Sequence, residues 1–332
     1  MTNSPLVSVV TPFYNTHEYL AECIESVLAQ TCQDFEYILI DNQSNDGSSE
    51  IAQSYATRFP EKVRVVRTAS FLSQVENYNF ALTCISANSK YCKMVQADDW
   101  IFADCLTRMI EVAEAHPSVG IVAAYQLEGE NIGLDGLPWP GAEVSGREAC
   151  RRYYLKRQYL FGTPTSLMMR SDMVRSRNPF YDERYAPFED AHVCFDLLKS
   201  WSFGFVHELL TFSRTQDESI LAGVRPFGGM LLFRLAVVVA HGRDYLSAEE
   251  YDRCLKDAER PYFLFLGASA LKRKSKEFWA FHRRGLSSIN YSLDQWFLTK
   301  WRVRAAFEHI GNPKRTLESI WGGANHSTLG TP

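Results

Sequence analysis

Between Leu6 and Gln96, four short β-rich runs alternate with segments whose apolar residues recur at helical spacing. The runs are Leu6–Thr11, Glu36–Asp41, Val63–Arg67 and Tyr91–Gln96. Pro12-Phe13-Tyr14-Asn15 breaks the first, and Leu20, Cys23, Ile24, Val27 and Leu28 then mark one face of a helix over His17–Thr31, with Asn15 or Thr16 available as its cap. Helices are also expected through Phe59 and over Val75–Ser86. Such alternation predicts an α/β fold with a mostly parallel central sheet flanked by helices, which takes ligands at the carboxyl ends of its strands. A helix over Phe102–His116, a strand over Gly120–Tyr125, a loop over Gln126–Gly146 and a mixed segment to about Arg214 follow. From Arg225 onward Gly and Pro thin out and helical spacing dominates, as in Tyr262–Leu271 and Trp296–Phe307. The expected division is residues 1–220 as the main domain and 221–332 as a basic, aromatic-rich, mainly helical extension. No internal repeat is present.

The 332 residues are 46% hydrophobic and 22% charged, which fits a globular chain rather than a disordered one. The most apolar stretch, Met230–Ala240, is too short to span a bilayer and contains Arg234. The amino terminus lacks the basic, apolar and small-residue succession of a secretory signal, so a cytoplasmic protein is expected. Eight scattered cysteines without Cys-x-x-Cys or zinc spacing read as reduced. Net charge is −4, divided as −11 over the first 260 residues and +7 from Pro261 to the end. Lys272-Arg273-Lys274, Arg283-Arg284 and Lys300-Trp301-Arg302-Val303-Arg304 lie among Phe278, Trp279, Phe281, Trp296 and Phe297. Two readings stay open there: peripheral contact with an anionic membrane on the inner face of the cell membrane, or a helical appendage that packs its aromatics inward. The acidic main domain and the lack of a recognised module argue against nucleic acid.

Chemistry concentrates at strand ends. Asp98-Asp99 follows the apolar run ending at Val95, where two carboxylates can share a divalent ion with water and diphosphate oxygens. Phe188-Glu189-Asp190 precedes a helical segment, Ala191–Ser200, and in isolation helix capping is the favoured explanation. Asp41 and Asn42 can meet a nucleobase edge, or serve simply as turn residues.

Their order is more specific than any member. Thr11-Pro12-Phe13-Tyr14-Asn15, Leu39–Ser48 (LIDNQSNDGS), Asn77-Tyr78-Asn79-Phe80-Ala81-Leu82, Gln96–Trp100 (QADDW) and Phe188-Glu189-Asp190 together resemble glycosyltransferase family 2, the inverting enzymes of the A-type glycosyltransferase (nucleotide-diphospho-sugar transferase) fold. The likeness runs from about Pro5 to Ile220.

The resemblance implies a nucleotide-sugar donor bordered by Thr11, Pro12, Tyr14, Asp41, Asn42, Asn79 and Asp98, with Tyr14 stacking on the base. It implies Mn²⁺ or Mg²⁺ on Asp99, Asp190 as catalytic base supported by Glu189, and Gly162 and Thr163 on the acceptor side. The acceptor it implies is a glycan or polyprenyl-linked hydroxyl in cell-surface polysaccharide synthesis. Three residues depart from the family pattern. Asn42 replaces a carboxylate, which leaves UDP- and dTDP-sugars both favoured because an amide oxygen accepts from either base. Gln96 replaces an acid, and Gln216 stands where many members have a metal-binding histidine. These departures keep a non-catalytic sugar-nucleotide-binding or assembly subunit as the alternative. A nucleotidyltransferase is less favoured, because the first strand is not followed by a Gly-rich, Arg-containing loop. A dehydrogenase or P-loop enzyme is rejected for want of its glycine motif.

Overall fold

A computed structural model of the chain describes residues 4–214, 223–272, 274–291, 299–304 and 306. The chain divides into two compact units, Met1–Ala222 with His241–Ser247, and Gly223–Ala240 with Ala248–Pro332.

In the first unit all seven residues of β1 (Val7–Phe13) are buried, and β2 (Phe35–Asp41) is nearly so. Continuous burial is what a strand covered on both faces requires, and it explains why these runs are apolar throughout rather than alternating. Leu20, Cys23, Ile24 and Val27 of α1 (Leu20–Leu28) supply one covering face. The helices α2 (Ser48–Arg58) and α3 (Gln74–Thr83) alternate with β3 (Val63–Arg67) and β4 (Tyr91–Met94). After β5 (Trp100–Ile101) and α4 (Cys105–Ala115) the chain forms β6 (Val119–Glu128), β7 (Asn131–Gly133), β8 (Glu143–Val144), α5 (Gly146–Lys156), β9 (Leu167–Arg170), α6 (Ser171–Arg175), α7 (Glu189–Leu197) and β10 (Ser202–Ser213).

The strand order is β3-β2-β1-β4-β9-β6-β10-β5, with β7 beside β6 and β8 beside β10. Strands β3, β2, β1 and β4 are mutually parallel, β9 runs against β4 and β6, and β10 is parallel to β6. From β1 the chain grows first toward β2 and β3, then crosses back to β4 on the other side. At such a switch point the connections leave in opposite directions, and a crevice opens beyond the carboxyl ends of β1 and β4.

Two expectations need correction. Gln126–Gly146 is not all loop: Gln126–Glu128 continues β6, turns through Gly129 at φ +60° and returns as β7, while β8 pairs antiparallel with Phe203 and Gly204. A glycine at the first turn position accommodates the left-handed backbone of a tight hairpin. Within the mixed segment, β10 was hidden because its register slips between Val206 and Leu209 and again before Thr211, so no period of two survives.

The second unit holds most of α8 (Gly229–Tyr245) together with α9 (Ala248–Leu271) and α10 (Lys276–Ser287). Phe278 is buried, Tyr262 lies 2.9 Å from His282 Nδ1, and the Trp301 ring stacks on Phe263 with centroids 5.6 Å apart. Lys272, Lys274, Arg283, Arg284, Lys300, Arg302 and Arg304 are exposed, as are Leu271 and Val303. Arg273, Trp296 and Phe297 lie outside the described residues, as does Gln216 in the first unit. Among the described residues no helix is long and apolar enough to cross a membrane.

Candidate active site

At the carboxyl end of β1, Tyr14 is 43% exposed and meets the 60% exposed Phe71 edge to face, with centroids 4.8 Å apart. Asn15 takes a left-handed conformation, φ 50°, which asparagine tolerates, and its side-chain oxygen accepts from Asn45 N at 2.9 Å. Thr11 and Pro12 are buried in the strand. The Thr11 hydroxyl lies 2.9 Å from Tyr37 OH, so its side chain serves the layer beneath.

Asp41 is buried and accepts from Ser44 N at 2.8 Å and Ser49 Oγ at 2.6 Å, with Arg67 3.2 Å away. Those bonds build the turn into α2. Asn42 is 3% exposed, and both ends of its amide are taken: Nδ2 donates to Leu72 O at 2.9 Å and Oδ1 accepts from Leu72 N at 2.9 Å. The side chain thus replaces a strand partner for the 68–72 loop, the loop that presents Phe71. Oδ1 also accepts from Thr68 Oγ1 at 3.4 Å, so for Asn42 to accept from a base edge one of these bonds would have to open, which leaves only its second N–H for that purpose.

Past β4, Val95 N still donates to Val10 O, and Asp99 N then donates to Gln96 O to close a turn into β5. Pairing of Trp100 with Phe212 sets the end of β10 against this turn, so that Arg214 N donates to Asp99 Oδ1 at 2.9 Å and Arg214 Nε to Asp98 O at 3.0 Å. Thr165 Oγ1 donates to Asp99 Oδ2 at 2.6 Å and accepts from Gln96 N at 3.0 Å. The buried ammonium of Lys93 donates to the carbonyls of Thr165 and Leu167, so β4 grips the 162–167 segment from below. Burial, then the charge of Asp98, pushes Asp99 up to about 7; burial also raises Asp98, which is the more exposed of the two.

In the 162–167 segment, Thr163 Oγ1 donates to Gln126 Oε1 at 3.3 Å, and Ser166 Oγ bonds the same oxygen. Gly162 has φ +71°, and a Cβ there would stand 2.5 Å from Ser166 Oγ, so only glycine fits.

Helix α3 brackets these pieces. Its Asn79 amide bonds Tyr181 at both backbone groups, 2.9 and 2.7 Å, and Ser73 at its N-cap donates to Glu183 at 3.2 Å. The lead-in to Glu189-Asp190 is therefore fixed to α3, and Asn79 is spent on that junction. Tyr78 accepts from Gln74 at 2.8 Å and Gln96 at 2.9 Å, and the charges of Glu189 and Asp98 both act on its hydroxyl. One carboxylate of each acidic cluster, Asp98 and Glu189, thus acts on the same tyrosine, although the clusters lie ninety positions apart in the chain.

Glu189 and Asp190 open α7. Glu189 is 5% exposed with Oε2 unpartnered, and burial raises its pKa. Asp190 is partly exposed and accepts from Ala191 N at 2.7 Å; loss of water, then the charge of Glu189, pushes it up to about 7. Tyr159 and Tyr181 both feel its charge. Sequence reasoning passed over Lys93 and Phe71, and it gave Tyr78 and Thr165 no role of their own within the motifs that contain them. Only a fully buried lysine in an apolar run carried a prior signal, and that signal needs burial to be seen.

Two adjacent carboxylates held above their usual pKa, with an arginine nearby, fit a divalent ion completed by diphosphate and water. An ionised carboxylate offers about four lone-pair sites, so the bonds from Thr165 and Arg214 leave capacity. Among the described residues no group of three or more His, Cys, Asp or Glu could hold an ion alone.

Residues 8–181, more than half of the chain, match the family described as Glycosyl transferase family 2. Among curated relatives, the chain is 28% identical over 169 residues to the putative glycosyltransferase EpsE of Bacillus subtilis, covering 49% of this chain and 60% of EpsE. It is 32% identical over 139 residues to the putative teichuronic acid biosynthesis glycosyltransferase TuaG of the same organism, covering 42% of this chain and 52% of TuaG. The chain thus spans about half to three-fifths of these relatives. Among solved structures, S. aureus TarS 1-349 in complex with UDP-GlcNAc superposes with a TM-score of 0.61 at 16% identity, over 85% of this chain and 79% of that one, a likeness of fold. With its A-type glycosyltransferase fold, the chain belongs to glycosyltransferase family 2.

Proposed function

We propose that the chain transfers a sugar from a nucleotide-diphosphate donor to a hydroxyl of a glycan or lipid-linked acceptor, with inversion, in polysaccharide synthesis. The bonds of α3 carry this reading: Tyr78 accepts from Gln96 beside Asp98-Asp99, while Asn79 and Ser73 hold Tyr181 and Glu183 in the lead-in to Glu189-Asp190. Tyr14 and Phe71 offer exposed rings to the base, and the UDP-sugar bound by TarS supports a uridine donor. Asp99, with Asp98 beside it and Gln216 as a further candidate, would hold Mn²⁺ or Mg²⁺, which when bound supplies positive charge to the departing diphosphate.

A hydroxyl is a weak nucleophile at neutral pH, so a carboxylate must take its proton as attack proceeds. Asp190 serves, because a carboxylate pushed up to about 7 accepts that proton more readily than an ordinary one while still ionising near neutrality. Glu189 keeps the pair short of water and holds that value up. Attack opposite the diphosphate then inverts the anomeric carbon in one displacement. A cytoplasmic reaction is supported by eight free cysteines, six of them buried. The exposed basic residues of the second unit support contact with an anionic bilayer. The test is a screen of nucleotide sugars with and without Mn²⁺, followed by NMR of the product: an α-linked donor should give a β-linked product. An α-linked product would refute inversion, and binding without hydrolysis or transfer would favour the non-catalytic alternative.

A further inference from the structure

The hairpin β6–β7 and the segment that follows carry an aromatic side chain that neither the fold nor the donor site uses. Trp139 is 79% exposed, and its ring stands edge-on to His207 with centroids 5.3 Å apart. His207 is itself fixed, with Nε2 2.9 Å from Gly141 O and Nδ1 3.5 Å from Tyr125 OH. The segment is also tied at its other end. Asp135 Oδ2 accepts from Tyr159 N at 2.8 Å, and Asp135 N donates to Tyr159 O at 3.3 Å. Tyr159 feels the charge of Asp190 and donates from its hydroxyl to Gly162 O at 3.3 Å. Four residues span at most about 14 Å, so Trp139 is tethered within that reach of Asp135, which bonds Tyr159 and through it the loop at Gly162.

We propose that Trp139 is a stacking platform for a pyranose ring of the acceptor glycan, beyond the hydroxyl that reacts. The C–H face of a pyranose is apolar and weakly positive, and an indole face carries the negative lobe of its quadrupole. A protein partner fits less well, because a stable interface needs about 800 Å² per side around a desolvated centre. Ile132 and Trp139 are the large hydrophobics that this region exposes, and Pro138, Pro140 and Gly141 flank the ring. A single broad ring on a pinned loop suits a narrow chain of sugars.

This assignment rests on the transferase reading, and the experiment separates the two. Wild type, Trp139→Ala and Trp139→Phe, as full chains, are given the preferred nucleotide sugar, Mn²⁺ and neutral hexose and N-acetylhexosamine oligosaccharides of increasing length. For wild type, kcat/KM should rise with length. Trp139→Ala should lose roughly tenfold on the longer acceptors through KM, a loss of the size expected for one aromatic contact. It should match wild type on the monosaccharide and in donor hydrolysis, and Trp139→Phe should keep part of the gain. Because the side chain is exposed, folding is not at stake. Equal length dependence in wild type and Trp139→Ala, or none in wild type, would overturn the platform while leaving the transferase reading intact. If no nucleotide sugar is turned over, that reading fails instead, and direct calorimetric binding of the same oligosaccharides decides the platform. Binding lost in Trp139→Ala would sustain it, and no binding by wild type would overturn it.

Discussion

Replacing Asn42 with aspartate supplies the carboxylate that the family resemblance implies at this position, and the bonds of Asn42 predict that this harms donor binding. The amide of Asn42 holds Leu72 by two bonds of 2.9 Å, one donated and one accepted. Aspartate keeps the acceptor and removes the donor. Leu72 O would then face a carboxylate oxygen, with the buried Asp41 carboxylate one residue away. Leaving a buried carbonyl unpaired costs about 1–3 kcal/mol, an upper bound for the half-buried Leu72, and the like charge adds to it. Because the clamp fixes the loop presenting Phe71, that cost falls on closure of the base platform. The expected loss in UDP affinity is roughly 5- to 150-fold for 1–3 kcal/mol. Calorimetric titration of UDP in Mn²⁺ against wild type, Asn42→Asp and Asn42→Ala reads it directly, with circular dichroism confirming the fold. If Asn42→Asp binds UDP as tightly as wild type, or more tightly, the amide is a base reader rather than a clamp and the reasoning is refuted.

Asp190→Asn should lower kcat by at least ~10²-fold with little change in donor affinity, measured by steady-state transfer and UDP titration. In wild type, kcat/KM should climb through an apparent pKa of about 7 that belongs to the Glu189–Asp190 pair, as the base loses its proton. The sign for stability is opposite. A carboxyl raised in the folded state favours folding below its unfolded value and loses that contribution as pH rises through about 7, so Asp190→Asn should raise Tm more at about pH 8 than at about pH 5. Asp99→Ala should abolish both activity and its response to Mn²⁺. Flotation with anionic liposomes at low and high salt tests the basic unit: salt-sensitive binding supports a peripheral location, and none at low salt removes it.

Much of the β1–β4 half was legible because covered parallel strands must be apolar from end to end, as Val7–Phe13 is, and because helices leave a 3.6-residue stripe. Asp98-Asp99 drew attention by its place after an apolar strand, and Glu189-Asp190, at a helix start, only by its order among the other motifs. What lay out of reach was tertiary choice. Nothing in Asn42 or Asn79 announces which backbone groups their amides will saturate, and Thr165 meets Asp99 only because β9 inserts between β4 and β6. Bulges erased the period of β10, and a two-residue turn hid β7 inside a Gly- and Pro-rich stretch. The aromatics of the extension were readable as a class, but Phe278 and the Trp301 ring turn inward to pack while the Lys and Arg side chains stay outside.

The most direct measurement is a crystal structure with a non-hydrolysable nucleotide sugar and Mn²⁺, using anomalous scattering to locate the ion. The account predicts an anomalous peak beside Asp98-Asp99 bridging to the diphosphate, and the Asp190 carboxylate across the anomeric carbon in the same cavity. A peak elsewhere, or Asp190 walled off from the sugar, would contradict it.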